Sequence, residues 1–320
     1  QAVRSSINLG IAFERLGQGE QMELAYDEAL QIAEQSKDPN ALQMAYKAKG
    51  EILGFRGEVK EALQFFEKAL DANKKLDEPF LRAQILFGQG RLLSQTEPQK
   101  SVTVLEEAEQ IGKDIGEHHF VLYVRQSLTT TYIRIGDFGK AIEVATTRLR
   151  DAEKMGDTNQ MVNAYNDLGP LYANLEDDEM ALEQYRKALE IMEAVDYSNG
   201  MMTTLGNLGL YYRAKGNHEK ALFYFEKSMS LADSLGMALI KLNNLNEAGY
   251  SYLETGDLEK GKQCFEETLA LNAGQDESRT QYANLGLGMY QYEVKNYRKA
   301  IDYLMPVQAY AQENQDFMLL

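Results

Sequence analysis

Tryptophan is absent from this chain, cysteine occurs once, histidine three times and proline five times in 320 residues. A lone Cys264 excludes a disulfide framework. So few prolines beside a 44% hydrophobic share argue against disorder. No apolar run approaches the ~20 residues of a membrane-spanning helix, and no signal peptide is visible. With no Trp, the 19 Tyr and 12 Phe carry the aromatic packing. Basic residues are outnumbered 33 to 49, a net charge of -16. Such a surface repels nucleic-acid phosphates and anionic membranes. These limits lead to the expectation of no nucleic-acid or membrane partner. A cytoplasmic chain is expected, and one cysteine does not exclude a periplasmic sensor region. The chain begins at Gln1, so a targeting segment could precede it.

Good helix formers, Ala, Leu, Glu, Gln and Lys, dominate what is present. Length alone suggests two globular domains, a prior that fails if the chain repeats. It does repeat. The residues Met22, Ala62, Ser101, Ala141, Ala181, Ala221, Gly261 and Ala300 follow one another at steps of 39 or 40. Turns precede them: Gly17-Gln18, Gly57-Glu58, Pro98, Gly136-Asp137, Glu176-Asp177, Gly216-Asn217, Gly256-Asp257 and Lys295-Asn296. About a dozen residues before the small residue stands a pair such as Leu9-Gly10, Leu168-Gly169, Leu208-Gly209 or Ala248-Gly249, often followed by Phe13, Tyr132, Tyr172, Tyr212 or Tyr252. After it come an aromatic and a further small residue, as in Ala62, Phe66, Ala69 and in Ala181, Tyr185, Ala188. Spacings of three, four and seven place these on one helix face. The turn Gly supplies backbone freedom, and the Asp or Asn after it can cap the next helix.

This pattern of Leu-Gly, aromatic, Gly-Asp, Ala, aromatic, Ala resembles the tetratricopeptide repeat. The unit is longer than the common 34 residues, and is similar to the long repeats of bacterial regulators, kinesin light chains and spindle-orientation adaptors. The third unit replaces the turn glycine by Glu97-Pro98, and the fourth has Thr129 where others have Gly. The resemblance implies an all-α fold, a right-handed α-solenoid or superhelix of about eight helix-turn-helix repeats. Its units are expected at roughly 1–38, 39–78, 79–116, 117–156, 157–196, 197–236, 237–275 and 276–315, forming a single array. Residues 316–320 read as the start of a further helix. Neither end looks capped, which predicts a fragment of a longer protein.

The resemblance also implies that the first helices line a concave side, with surface positions six and three before the first-helix glycine and one and four after it. These are Tyr123, Gln126, Thr130 and Ile133 in the fourth repeat, and Asn163, Asn166, Pro170 and Ala173 in the fifth. They are Thr203, Gly206, Leu210 and Arg213 in the sixth, and Asn243, Asn246, Tyr250 and Leu253 in the seventh. An asparagine amide both donates to and accepts from a peptide backbone, so the matched pairs Asn163/Asn166 and Asn243/Asn246 could hold an extended chain without reading its sequence. The alternative is that these amides only decorate a solvated face. Pro170 removes a donor inside a first helix and predicts a kink. Arg4, Arg15, Lys47, Arg91, Arg134 and Arg213 fall on or near the stripe and could receive carboxylates, although they are scattered over five repeats.

No reaction chemistry is apparent. His118 and His119 are neighbours, and on a helix such residues point about 100° apart, poor for one metal. His218 lies beside a turn, and Cys264 reads as a small core residue. Leu285-Gly286-Leu287-Gly288 lies in a helical pattern without the strand that a phosphate loop needs. The run Glu176-Asp177-Asp178-Glu179 lacks calcium-loop spacing. We therefore expect no cofactor, no metal and no enzyme. The leading function is a protein- or peptide-binding scaffold, the sensory or regulatory region of a larger signalling or transcription-regulatory protein. The alternative is self-assembly into a homodimer with no separate ligand.

Overall fold

The computed structural model describes residues 1–76, 78–195 and 198–314; the expected helix start at 316–320 lies outside them. Every element among the described residues is helical, and the helices divide into two compact units, Gln1–Gly156 and Asp157–Leu320. The first holds α1 (Ala2–Arg15), α2 (Gly19–Ser36), α3 (Pro39–Phe55), α4 (Val59–Asn73), α5 (Pro79–Thr96), α6 (Pro98–Asp114), α7 (His118–Ile135) and α8 (Phe138–Met155). The second holds α9 (Thr158–Asn174), α10 (Asp178–Ala194), α11 (Ser198–Ala214), α12 (His218–Leu235), α13 (Ala238–Glu254), α14 (Leu258–Asn272), α15 (Glu277–Glu293) and α16 (Tyr297–Asn314). Each unit is thus four helix pairs of the tetratricopeptide-type solenoid.

The turn inside each pair shows why the repeat has its length. At α7–α8, Gly136 adopts φ 84°, its N–H donates to Ile133 and the Asp137 N–H donates to Tyr132, which closes the last turn of α7. Asp137 then accepts from the Lys140 N–H at 3.0 Å and caps α8. Asp177, Asn217 and Asp257 cap α10, α12 and α14 in the same way. Glu176 and Lys295 take the glycine's left-handed conformation, φ 60° and 62°, despite carrying side chains. Between α5 and α6 the single residue Glu97, at φ -139° and ψ 67°, does the work of two, with Pro98 at the first position of α6. That missing residue accounts for the step of 39 from Ala62 to Ser101.

Packing within a pair depends on a ring laid over a glycine. A Cβ at Gly169 would meet the Tyr185 ring at 2.4 Å, one at Gly209 the Phe225 ring at 2.4 Å, and one at Gly249 the Phe265 ring at 2.7 Å. Gly10 and Tyr26 repeat the arrangement, and Leu105 and Leu304 replace the ring over Gly90 and Gly288. In the fourth pair the volumes are exchanged: Thr129 occupies the glycine position and Ala145 the ring position, both fully buried. The departure at Thr129 is therefore compensated within its own pair.

Each first helix touches the next first helix of its unit, α1 with α3, α3 with α5 and α5 with α7, and likewise α9 with α11, α11 with α13 and α13 with α15. Among the described residues the second helices do not touch one another; each packs on the first helix of the following pair within its unit. The first helices thus form the tighter edge of each stack. No described helix is long and apolar enough to cross a membrane.

Gly209→Ala should destabilise the protein by about 1–3 kcal/mol, because the Phe225 ring has no room to retreat. Gly139→Ala, whose Cβ would meet nothing closer than 3.7 Å, should instead stabilise by up to about 1 kcal/mol through helix propensity. Urea unfolding of the two variants checks both signs.

Candidate functional site

In the second unit the first-helix edge is a polar face built from α9, α11, α13 and α15. Of the expected residues, Asn166 and Asn246 are buried, 8% and 7% exposed. Asn163 is half-buried, while Asn243 and Thr203 are exposed. The reading of these amides as solvated decoration therefore fails for Asn166 and Asn246. The Asn166 Oδ1 accepts from the Asn207 amide at 3.5 Å, a long bond that leaves capacity for a shorter one. The Asn246 Oδ1 is buried with no hydrogen-bond partner among the described residues, a condition that costs about 1–3 kcal/mol until something donates to it. Asn243 accepts from the Arg279 Nε at 3.1 Å, and Arg279 also pairs with Asp276. The Tyr250 hydroxyl donates to the Tyr282 carbonyl at 2.6 Å, and its ring packs edge-on against Phe265. Burial raises the Tyr250 pKa, and the Glu247 carboxylate adds to the rise. Helix α9 continues unbroken from Thr158 to Asn174 through the exposed Pro170.

Arg213 faces Glu247, Nε to Oε2 at 2.9 Å. The two atoms are close enough for an ion pair but off line for a hydrogen bond, so both keep unused bonding capacity. Burial raises the Glu247 pKa above its ordinary value of 4.5, and Arg213 offsets part of that rise. Asn207 and Glu247 escape sequence reasoning based on the four expected positions. They stand two before the glycine, a place held by Asp167, Asn207 and Glu247 in consecutive repeats. That polar run was the available signal.

In the first unit, Tyr123 is 52% exposed, Gln126 is half-buried and Arg134 exposed. No partner is found for the three side chains among the described residues. A groove of this unit lies in its three earlier pairs. It measures about 660 Å³ and is lined by Ile7, Glu14, Met44, Lys47, Phe87 and Arg91, among others. These are the same register positions that were expected to carry function in the later repeats. Cys264 packs half-buried beside Phe225, and burial pushes its thiol up to about 11.

A family model of the tetratricopeptide repeat matches residues 2–75 and 160–234, and a second model of the same repeat matches 243–274. The chain belongs to the tetratricopeptide repeat family. No curated protein matches it by sequence. Solved structures with the same fold include the apo quorum sensor NprR from B. thuringiensis, at 19% identity and TM-score 0.66, covering 99% of this chain and 90% of that one. NprR in complex with its cognate peptide NprX aligns at 19% identity and TM-score 0.62, covering 97% and 89%. Aspartyl phosphate phosphatase F from Bacillus subtilis aligns at 16% identity and TM-score 0.68, covering 95% and 83%.

A Glu whose folded pKa lies above its unfolded value favours folding in the protonated form. Its stabilising contribution is complete below the unfolded pKa and is lost as pH rises through the folded one. Glu247→Gln should therefore be more stable than the parent at pH 7, and the difference should shrink as pH falls toward 4.5. Thermal unfolding of the pair across that range measures it; a difference that grows on acidification would contradict this account of Glu247.

Proposed function

We propose that this chain is a non-catalytic scaffold that binds a protein segment or extended peptide along its first-helix faces. The observation carrying the reading is the Oδ1 of Asn246, buried without a partner among the described residues, together with the weakly bonded Asn166 two first helices away in the same stack. A backbone N–H supplies the donor that Asn246 lacks, and an amide can return a bond to the next carbonyl. Tyr123, Gln126 and Arg134 offer further contacts in the first unit, and Asn163, Thr203, Asn243, Tyr250 and Arg213 in the second. That NprR has been seen with its cognate peptide on a similar fold supports the reading. The finer role is sensory or regulatory: a peptide that binds one conformation of the repeats better than another shifts the balance between them.

A second reading has its own observation. Tyr297, Ile301 and Met305 stand one turn apart on α16, each more than half exposed. Such a stripe favours self-association. A strictly monomeric mass by light scattering at high concentration removes it.

The test of the binding reading is selection from a random-peptide display library, followed by titration of the selected peptides. Changing Asn163, Asn166, Asn243 and Asn246 to Ala should weaken them by about tenfold or more. Because two of the four are buried, the less buried pair, Asn163→Ala and Asn243→Ala, is measured beside it with the melting temperature. Undiminished affinity in the folded quadruple variant removes the amide ladder.

A further inference from the structure

The groove of the first unit carries charges in an order that the amide face of the second unit does not have. Its wall is apolar where α1, α3 and α5 meet, through Ile7, Met44 and Phe87. On α1 stands Glu14, exposed and without an ion-pair partner among the described residues. On α3, Lys47 and Glu51 pair at 2.7 Å and neutralise each other. On α5, Arg91 is exposed, its guanidinium 5.7 Å from the centre of the Phe87 ring. The groove therefore runs from an anion on α1, across a neutral middle, to a cation on α5.

Tyr26 supplies an independent observation at the acidic end. It lines the same groove and is 6% exposed, its ring held under Gly10. Its hydroxyl has no hydrogen-bond partner among the described residues. The oxygen is not sealed from solvent, so it is free to accept from a ligand donor in place of water. Burial pushes its pKa up to about 12, and the carboxylates of Glu14 and Glu51 add to the rise. With the unpaired Glu14 carboxylate near it, that oxygen sits in a field that favours a donor, and above all a cationic one.

We infer that the groove between α1, α3 and α5 is a second recognition site, for a short segment with a basic group at one end, an acidic group at the other and apolar side chains between. The inference rests on the reading of the chain as a peptide binder, and adds a site and a ligand chemistry to it. The basic group meets Glu14 and the Tyr26 hydroxyl, the apolar side chains cover Ile7, Met44 and Phe87, and the acidic group meets Arg91. Its volume falls within the ordinary 300–1,000 Å³ range of ligand sites.

The test uses the whole chain and three blocked synthetic peptides in calorimetric titration: acetyl-Lys-Leu-Phe-Leu-Glu-amide, and the same peptide with Glu at both ends or Lys at both ends. The mixed peptide should bind about tenfold or more tighter than either like-charged one, since each charged end gains one charge-assisted contact. Glu14→Lys should switch the preference to the peptide with two Glu, and Arg91→Glu to the one with two Lys. Both side chains are exposed, so folding is expected to survive, and circular dichroism verifies it. Equal affinity for the three peptides, no saturable binding of the mixed one, or a preference that Glu14→Lys leaves in place overturns the site. If Asn166→Ala and Asn246→Ala abolish binding of the mixed peptide while Glu14→Lys does not, peptides bind at the amide face and this site is wrong.

Discussion

A large side chain, most often a ring, seated on a helix position that has no Cβ is the contact on which most of the repeats depend. Tyr185 on Gly169, Phe225 on Gly209 and Phe265 on Gly249 let two helices approach closer than any larger pair of side chains would allow. Phe265 goes further: a Cβ at Gly286 in the next pair would also meet it, at 2.2 Å. One ring then sets the distance within a pair and the distance to the neighbouring pair. The fourth pair obeys the same limit on volume by another route, Thr129 against Ala145. The conserved quantity is the space between the helices, not the residue that leaves it.

That close approach places the first helices on the tight edge of each stack, and the tight edge decides which polar groups lose water. Asn166 and Asn246 lie there and are buried, whereas Asn243, one turn earlier on α13, remains exposed. The Arg213–Glu247 pair shows the cost. A carboxylate drawn out of water becomes harder to ionise, and one cation off the ideal line offsets only part of that. Groups left on that edge with spare capacity lack the donor or acceptor that a ligand can bring. The two units do this with different chemistry, amides in the second and separated charges around an apolar floor in the first.

Much of this was readable in advance. The 39–40 residue period, the caps at Asp137, Asp177, Asn217 and Asp257, and the left-handed turns are local, each decided by a few adjacent residues. The shortened turn at Glu97-Pro98 is local too. What escaped were contacts between side chains 34 to 41 positions apart: Arg213 with Glu247, and Asn166 with Asn207. Their meeting depends on how far one helix rotates against the next. The four family positions did not include the place two before the glycine, although Asp167, Asn207 and Glu247 marked it. In the earlier repeats the same stripe carries Ile7, Met44 and Phe87 and lines the groove of the first unit.

By itself the amino-acid sequence determined the fold class, the number of helix pairs and a common stripe along the first helices, because helix periodicity, turn chemistry and the alternation of small and large residues act over distances shorter than one repeat; that this stripe faces the inner edge came with the resemblance to the tetratricopeptide repeat. Only the tertiary structure decided which members of that stripe are buried, which keep an unpaired oxygen, and in what order charge runs along the groove. Those properties belong to the space between helices, and that space exists only once the pairs have stacked.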